Sequence, residues 1–337
     1  MAEELEDRCR ALVAELGLGA PEHVRSVRPL TGGVASDIAL VDVAGTQVCI
    51  KFALPKLKVA ADWHAPVHRN AAEYAWLKFA ADLVPESAVK MLGRSETQHG
   101  FAMEFVTGDD VFLWKSALLE QAPDRGEARA VGSLIGRIHK ASANPSFDRS
   151  GFENRDDFRA LRIEPYLTYT AERHPGLAPF INVMAAALYD RQTALVHGDA
   201  SPKNILFRGG NPILLDAECA TMGDPAFDPA FCLNHLLLKA LHLPGARARY
   251  LANVSDLWQA YSAHVDWEAR DGLEARVAAL LPMLFLARAD GKSPVEYLDA
   301  RAQEIVRVIA APLITNPPET LAELTDRITN ALKEHSK

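Results

Sequence analysis

The sequence predicts an α+β protein with a small antiparallel sheet unit followed by a larger helical unit. Three observations predict this class. The N-terminal third is rich in strand-like segments, the remainder has mainly helical periodicity, and 337 residues are enough for two hydrophobic cores. We place the boundary near Gly108, which gives an N-terminal unit of 1–107 and a helical unit of 108–337.

The N-terminal unit is predicted to contain five strands and one long helix, after a short amphipathic helix at about 3–17. β-branched residues dominate its first three strands, and Ala44-Gly45 supplies a turn between the second and third. Helical periodicity follows at 67–83. In chain order the five strands are expected at 24–30, 36–43, 46–53, 88–92 and 100–106.

The second unit is predicted to be mostly helical. Its first long helix, at 124–141, places apolar residues at i, i+3, i+4 and i+7, and these are Val131, Leu134, Ile135 and Ile138. One exception is the segment ILFRGGNPILLD, in which two apolar runs flank Gly209-Gly210 and predict a hairpin. Helices resume beyond residue 227.

Composition excludes several classes of protein. The chain is 49% hydrophobic and 24% charged, which is typical of a globular protein, and its net charge of −8 disfavours nucleic-acid binding. The N-terminus lacks the pattern of a secretory signal, and no apolar stretch is long enough to span a bilayer. The cysteines are scattered and match no zinc spacing; they are Cys9, Cys49, Cys219 and Cys232. We therefore expect a soluble cytoplasmic protein, monomeric or homodimeric, with no membrane or nucleic-acid partner.

The candidate chemistry lies in LVHGDASPKNILF and the following ILLDAECATMGDPAFD. An apolar run leads into a loop with Asp199, Asn204 follows five residues later, and the predicted hairpin ends at Asp216. Phosphoryl transfer from ATP needs a carboxylate that orients the attacking hydroxyl and oxygen ligands that hold Mg²⁺ on the phosphates. We therefore assign Asp199 as the catalytic carboxylate and Asn204 and Asp216 as metal ligands.

HGDASPKN, with the downstream DAE and GDPAFD, resembles the aminoglycoside phosphotransferase and choline kinase-like branch of the protein-kinase fold. The resemblance extends over nearly the whole chain. It implies a five-stranded ATP-binding lobe and a helical lobe that carries the catalytic loop and the acceptor site, with Mg²⁺ and ATP bound between them. It also implies an enzyme that moves the γ-phosphate of ATP to a hydroxyl of a small molecule.

The same resemblance implies further nucleotide-binding residues in the first lobe. Glycines between the first two strands permit a turn that exposes backbone N–H groups to phosphate, which makes Gly32, Gly33 and Ser36 candidates. Lys51 on the third strand is expected to pair with Glu73 on the following helix and to contact the α- and β-phosphates. The backbone at Glu104 and Val106, where the chain crosses between lobes, is expected to bind adenine.

Several assignments stay open. Glu218, in the Asp-Ala-Glu segment, is either a second metal ligand or a charge that supports the loop. Lys203 faces water or reaches a phosphate or the acceptor, and Arg288 and Lys292 either line the acceptor site or lie in an ordinary turn between helices. Asp224 and Asp228 are expected to brace the catalytic loop by accepting its backbone N–H groups.

The acceptor is not identified by the sequence. KFALPKLKVAADWHAPVHRNAAE is similar to a methylthioribose kinase pattern, through Lys51, Ala53, Leu54, Pro55, Trp63, Pro66, Arg69 and Glu73. Acidic and basic residues are balanced in 231–312, which disfavours polycationic aminoglycosides and favours a neutral or anionic sugar or alcohol. The alternatives are an aminoglycoside-modifying enzyme and a nucleotide-binding pseudokinase or interaction module. A protein kinase is disfavoured because no Ala-Pro-Glu segment follows Asp216.

Overall fold

The computed structural model describes residues 2–30, 36–56 and 66–334. These fall into two units of dense internal contact. The first comprises Met1–Val111 with Asp216–Glu218, and the second comprises Phe112–Leu215 with Cys219–Lys337. The α+β class predicted from the sequence is confirmed, because the first unit is built on a sheet and the second is mainly helical.

The first unit is built on a five-stranded antiparallel sheet, as predicted, and its strand order is β1-β2-β3-β5-β4. Its strands are β1 (Val24–Pro29), β2 (Ser36–Val43), β3 (Thr46–Ala53), β4 (Met91–Ser95) and β5 (Gly100–Glu104), and its helices are α1 (Ala2–Glu15) and α2 (Arg69–Leu83). The β2–β3 turn places Ala44 and Gly45 at φ values of 54° and 96°, which suits a two-residue hairpin. β3 is an inner strand, so Lys51 has paired neighbours on both sides.

One hydrophobic core joins α1 to the sheet. Cys9, Leu12 and Val13 of α1 are fully buried against apolar side chains of β2 and β3 such as Val41 and Ile50. Burial raises the pKa of the Cys9 thiol to about 12, so this cysteine packs as a small apolar residue. This packing fixes the strands from which the candidate site projects.

The second unit contains most of the helices and two small sheets. Its strands are β6 (Phe112–Leu113), β7 (Ala194–Val196), β8 (Ile205–Arg208), β9 (Asn211–Leu214) and β10 (Thr221–Gly223), and they form the sheets β6-β8-β9 and β10-β7. β8 and β9 form the predicted hairpin, with Leu206 opposite Ile213. Short 3₁₀ turns in the two units lie at Pro21–His23, Pro85–Ser87, Ser150–Phe152, Pro202–Asn204 and Pro244–Ala246.

The helices of the second unit include one segment with π-helical hydrogen bonding, at Arg159–Thr168. Such segments are rare and occur frequently at functional sites. The α-helices are α3 (Trp114–Leu119), α4 (Glu127–Ser142), α5 (Arg155–Phe158), α6 (Tyr169–Arg173), α7 (Ala178–Asp190), α8 (Phe227–His242), α9 (Arg247–Ser262), α10 (Arg270–Asp290), α11 (Ala300–Thr315) and α12 (Leu321–Glu334). Within the described ranges, no helix is both long and apolar enough to cross a membrane.

The core of the second unit forms around α4, α8 and α9. The apolar stripe predicted on α4 is buried, from Val131 to Ile138. α4 lies so close to α9 that a Cβ added at Gly132 would come within 2.1 Å of the carbonyl oxygen of Leu257. α8 is buried on nearly all sides, which is typical of a central helix.

Candidate active site

Lys51 is the centre of a buried charge cluster in the first unit. β3 carries Lys51 into the interior, where the residue is 2% exposed. Its Nζ donates to Glu73 Oε1 of α2 at 2.6 Å and also to Asp216 Oδ1. The predicted Lys51–Glu73 pair is therefore present, and the same ammonium also contacts the predicted metal ligand Asp216.

Electrostatics keep Lys51 charged. Burial acts to lower the pKa of Lys51, but the carboxylates of Asp216 and Glu73 outweigh burial and raise it above the ordinary lysine value. A permanently protonated amine held at a fixed position is suited to contact phosphate oxygens.

Asp216 is held in an uncommon backbone conformation at the end of the β8–β9 hairpin. Its φ is 68°, in the left-handed region that aspartate tolerates better than most residues. The Asp216 side chain is 31% exposed, in contrast to the buried Lys51 that it contacts. Asp216 therefore combines one anchored carboxylate oxygen with partial access to solvent, as a metal ligand would need.

Arg69 was not assigned a role from the sequence, yet it is among the most completely bonded side chains of the first unit. Its Nε donates to Glu218 Oε2 at 2.9 Å, and its terminal nitrogens donate to the carbonyl oxygens of Pro66 and Leu54, each at 2.8 Å. Arg69 is 1% exposed, so these partners neutralise a fully buried charge. The contact favours a supporting role for Glu218, and the metal role stays a prediction.

The second unit carries the loop 197–204, which follows β7. The backbone N–H groups of His197 and Gly198 donate to the two carboxylate oxygens of Asp228, at 2.6 and 2.9 Å. Burial disfavours the charge of Asp228, but hydrogen bonds from His139 and from this loop hold its pKa below the usual range. The predicted bracing by Asp228 is confirmed.

Asp224 does not brace the loop, and that prediction is wrong. Its carboxylate accepts from the backbone N–H of Ala226 and from the guanidinium of Arg276, and it pairs with Arg191 at 3.2 Å. Asp224 therefore fixes the start of α8 to neighbouring parts of the second unit. It lies four residues before Asp228, and the sequence spacing alone did not separate their roles.

Glycine is required within the loop. Gly198 has a φ of 77°, and a Cβ there would lie 2.8 Å from the Cβ of Cys219.

Asn204 is held by its side-chain nitrogen, which donates to the carbonyl oxygen of Asp199 at 3.0 Å. Because this bond uses the amide nitrogen, the amide oxygen is the atom of Asn204 that suits a cation.

The carboxylate of Asp199 lies between two cations. Asp199 is 3% exposed, and its Oδ2 is 3.0 Å from a terminal nitrogen of Arg162 and 3.1 Å from Nζ of Lys203. Nε of Arg162 also donates to the carbonyl oxygen of Gly198 at 2.5 Å. Arg162 lies on the π-helix, far from the loop in sequence, and no sequence motif indicated it.

The other residues predicted to bind the nucleotide are Gly32, Gly33, Ser36, Glu104 and Val106. Gly32 and Gly33 lie outside the described residues. Ser36 begins β2 and is buried, and Glu104 ends β5, where its N–H donates to the carbonyl oxygen of Lys90 at 2.9 Å. Val106, two residues beyond β5, is half-buried. The adenine-binding roles of Glu104 and Val106 stay predictions.

Arg288 and Lys292 do not form one site. Arg288 is buried in α10 and donates to the hydroxyl of Tyr166 at 3.2 Å. Lys292 is exposed, lies over the ring of Tyr169 at 5.6 Å and lines a separate cavity of about 390 Å³. Of the two, only Arg288 is buried among other polar side chains.

Within the described ranges, no group of three or more histidine, cysteine, aspartate or glutamate side chains could hold a metal ion. A metal ion would therefore need a site with fewer protein ligands, such as one carboxylate and one amide oxygen, with phosphate oxygens as further ligands. Asp216 and Asn204 are residues of that kind.

A buried lysine–glutamate pair and a braced HGD loop together define a phosphotransferase of the kinase-like fold. The chain belongs to the phosphotransferase enzyme family (APH), whose family model matches residues 26–273. No curated protein matches the chain significantly.

Solved structures share the fold at low sequence identity. A choline/ethanolamine kinase family protein from Mesorhizobium loti is 15% identical, with a TM-score of 0.55 over 99% of this chain and 100% of that one. Amicoumacin kinase, solved with AMP-PNP, Ca²⁺ and its ligand, is 13% identical, with a TM-score of 0.54 over 95% of this chain and 98% of that one. An ethanolamine kinase from Plasmodium vivax is 11% identical, with a TM-score of 0.54 over 100% and 89% of the two chains.

Proposed function

We propose that this protein is an ATP-dependent kinase that phosphorylates a hydroxyl group of a small molecule. The observation that carries the proposal is the buried Lys51 ammonium, which donates to both Glu73 and Asp216. A buried lysine fixed between two carboxylates contributes little net stability, but it provides a rigid cation for phosphate. Membership of the phosphotransferase family supports this use.

In the proposed reaction, Asp199 accepts a hydrogen bond from the acceptor hydroxyl and then its proton. The hydroxyl oxygen forms a bond to the γ-phosphorus of ATP while the bond from that phosphorus to the oxygen of ADP breaks, and ADP leaves. Arg162 and Lys203 hold the Asp199 carboxylate in position, both within 3.1 Å. Asp228 fixes the backbone from which Asp199 projects. Catalysis of this kind depends mainly on positioning and on compensation of charge.

Asp216 and the amide oxygen of Asn204 are proposed to hold Mg²⁺. This ion would neutralise charge on the nucleotide phosphates when bound. Lys51 contributes a further positive charge to the phosphates, and Glu73 orients Lys51. Glu218 is proposed to act through Arg69, whose position it fixes.

The test is coupled ADP release with Mg-ATP and a panel of hydroxyl compounds, together with a separate measurement of nucleotide binding. Asp216→Ala should weaken Mg-nucleotide binding, because it removes a proposed metal ligand and a partner of Lys51. Asp199→Asn should bind Mg-nucleotide like the wild type and lose transfer. An Asp199→Asn protein with wild-type turnover would contradict the proposed role of Asp199.

A further inference from the structure

Four basic side chains lie together in the second unit, and three of them are buried. This group, here called the basic cluster, consists of Lys115 on α3, His235 and Lys239 on α8, and Arg288 on α10. Lys239 is 1% exposed, His235 7% and Arg288 8%. Lysine and arginine are almost never this buried unless they are paired with an anion.

Lys239 has no such anion among the described residues. Its Nζ makes one long hydrogen bond, to the carbonyl oxygen of His235 at 3.5 Å, and lies 5.4 Å from the centre of the Tyr297 ring. Within the described ranges no ion pair joins Lys239 to a carboxylate, and Glu296 acts on it only through its charge. The ammonium form of Lys239 is therefore buried without a carboxylate that pairs with it directly.

Arg288 is similar. Its terminal nitrogen donates to the hydroxyls of Tyr166 and Ser293, at 3.2 and 3.1 Å, and to the carbonyl oxygen of Ser293. These partners are neutral, and Nε of Arg288 is buried without a hydrogen-bond partner. Glu296, whose charge acts on Lys239 and Arg288, is bound by Lys115 at 2.5 Å. Within the described ranges, neither Lys239 nor Arg288 thus forms an ion pair with a carboxylate.

The members of the cluster repel one another. Burial, and then the charge of Lys115, lowers the pKa of Lys239 to about 7. Burial and the charges of Arg288, Lys239, Lys203 and Lys115 lower the pKa of His235 well below its ordinary value. Such an arrangement disfavours the charged forms of Lys239 and His235, because burial and neighbouring positive charges both oppose protonation. Side chains kept in this state point to a ligand of opposite charge.

The π-helix connects the cluster to the proposed catalytic carboxylate. Arg162 pairs with Asp199, and Tyr166, four residues later on the same helix, bonds Arg288. Lys203 gives a second connection, because it contacts Asp199 at 3.1 Å and its charge also acts on His235. The basic cluster therefore borders the loop on which Asp199 lies.

We infer that the basic cluster binds the anionic group of the phosphate acceptor, so that the substrate is a small hydroxyl compound with a carboxylate or phosphate group. Lys239 and Arg288 would each donate charge-assisted hydrogen bonds to this group. A cationic acceptor would be repelled by Arg288 and by the ammonium form of Lys239. This inference rests on the proposed kinase function, whereas anion binding by the cluster can be measured without catalysis.

The first experiment measures anion binding directly. The full-length protein, without nucleotide, is unfolded thermally in tartrate, malonate or inorganic phosphate, and in sodium chloride of equal ionic strength. Because a ligand that binds only the folded state stabilises it, at least one of these anions should raise the melting temperature by several degrees above chloride.

The variants make this measurement specific. Lys239→Met should unfold at the same or a higher temperature than the wild type in chloride, because it removes an unpaired buried charge, and should lose the anion-dependent rise. Arg288→Gln should weaken the same rise. Lys140→Met, which changes an exposed lysine paired with Asp266, should keep it. No anion-dependent rise in the wild type, or the full rise in Lys239→Met, would overturn the inference.

The second experiment identifies the acceptor class by ADP release with glycerate, tartrate, glycerol 3-phosphate, glycerol, choline and an aminoglycoside. We expect turnover with an anionic compound. Comparison of glycerate and tartrate with glycerol 3-phosphate shows whether the acceptor carries a carboxylate or a phosphate group. Lys239→Met should raise the KM for that compound about tenfold or more and leave the KM for ATP unchanged. Turnover only with neutral or cationic acceptors would overturn this inference and leave the kinase proposal intact. Failure to bind Mg-ATP would instead overturn the kinase proposal.

Discussion

The buried ion pair between Arg69 and Glu218 allows a quantitative test of how the first unit holds its site. Arg69→Met removes the guanidinium and leaves the Glu218 carboxylate, whose side chain is only 10% exposed, without this partner. It also removes the donors to the carbonyl oxygens of Pro66 and Leu54. Breaking a buried pair costs about 3–5 kcal/mol, and we expect a loss of about 4 kcal/mol in the free energy of unfolding.

A double-mutant cycle separates the pair from its surroundings. Glu218→Gln should cost about 2–3 kcal/mol, because Arg69 keeps its two carbonyl partners and loses only the charge partner. The double variant should be more stable than the sum of the two losses predicts, with a coupling energy of about 2 kcal/mol. A coupling energy near zero would show that the ion pair does not hold this part of the unit together.

The assay is urea unfolding followed by far-UV circular dichroism, with hydrogen exchange of α2 as the local readout. Lys78→Met is the matched control on the same helix. Lys78 pairs with Asp82 at 2.8 Å, but both side chains are more than half exposed, so its loss should have no measurable effect. If Arg69→Met is as stable as Lys78→Met, the reasoning from burial is refuted.

Three further predictions concern the second unit. Lys239 has a pKa of about 7 in the folded protein against an ordinary 10.5, so the unfolded chain binds more protons between these two pH values. The free energy of unfolding of the wild type, relative to Lys239→Met, should therefore rise by about 1.4 kcal/mol per pH unit above pH 7. A constant difference between the two proteins from pH 7 to 9 would contradict this prediction. Gly132→Ala should lower the free energy of unfolding in urea by about 1–3 kcal/mol, because its Cβ would collide with the carbonyl oxygen of Leu257. Gly272→Ala is the control and should not destabilise the protein, because a Cβ there has open space around it. Equal stability of the two variants would contradict the tight packing of α4 against α9. Asp228→Ala should cost about 3 kcal/mol or more and reduce turnover, because two loop N–H groups lose their acceptor, and unchanged turnover would show that the loop does not need this brace.

The sequence predicted the parts of the fold that have regular local patterns. β-branched runs and the Ala44-Gly45 turn correctly indicated the first three strands of the first sheet, and the spacing of apolar residues correctly indicated the buried face of α4. The fourth strand was expected at 88–92 and lies at Met91–Ser95. These features depend on short-range order, which the sequence carries directly. The pairing of Lys51 with Glu73 was instead implied by the family resemblance.

Other features depend on contacts between distant segments and could not be read from spacing. Arg162 reaches Asp199 from a π-helix that no periodicity indicated. Lys239 lies in an otherwise apolar helical pattern, where a lysine ordinarily marks a solvent-facing edge, yet α8 is buried on all sides there. Asp224 and Asp228 have equivalent positions in their motif but different partners. Tertiary packing decided each of these cases.

Asp199 is proposed to position an acceptor hydroxyl for phosphoryl transfer from ATP. The most direct measurement is acceptor-dependent ADP release by the wild type and by Asp199→Asn, with Mg-nucleotide affinity measured for both proteins. We expect turnover in the wild type and a loss of about a thousandfold in Asp199→Asn, which is the size of effect typical of a positioned catalytic base. We expect the two proteins to bind Mg-nucleotide with equal affinity. Equal turnover in the two proteins would contradict this role of Asp199.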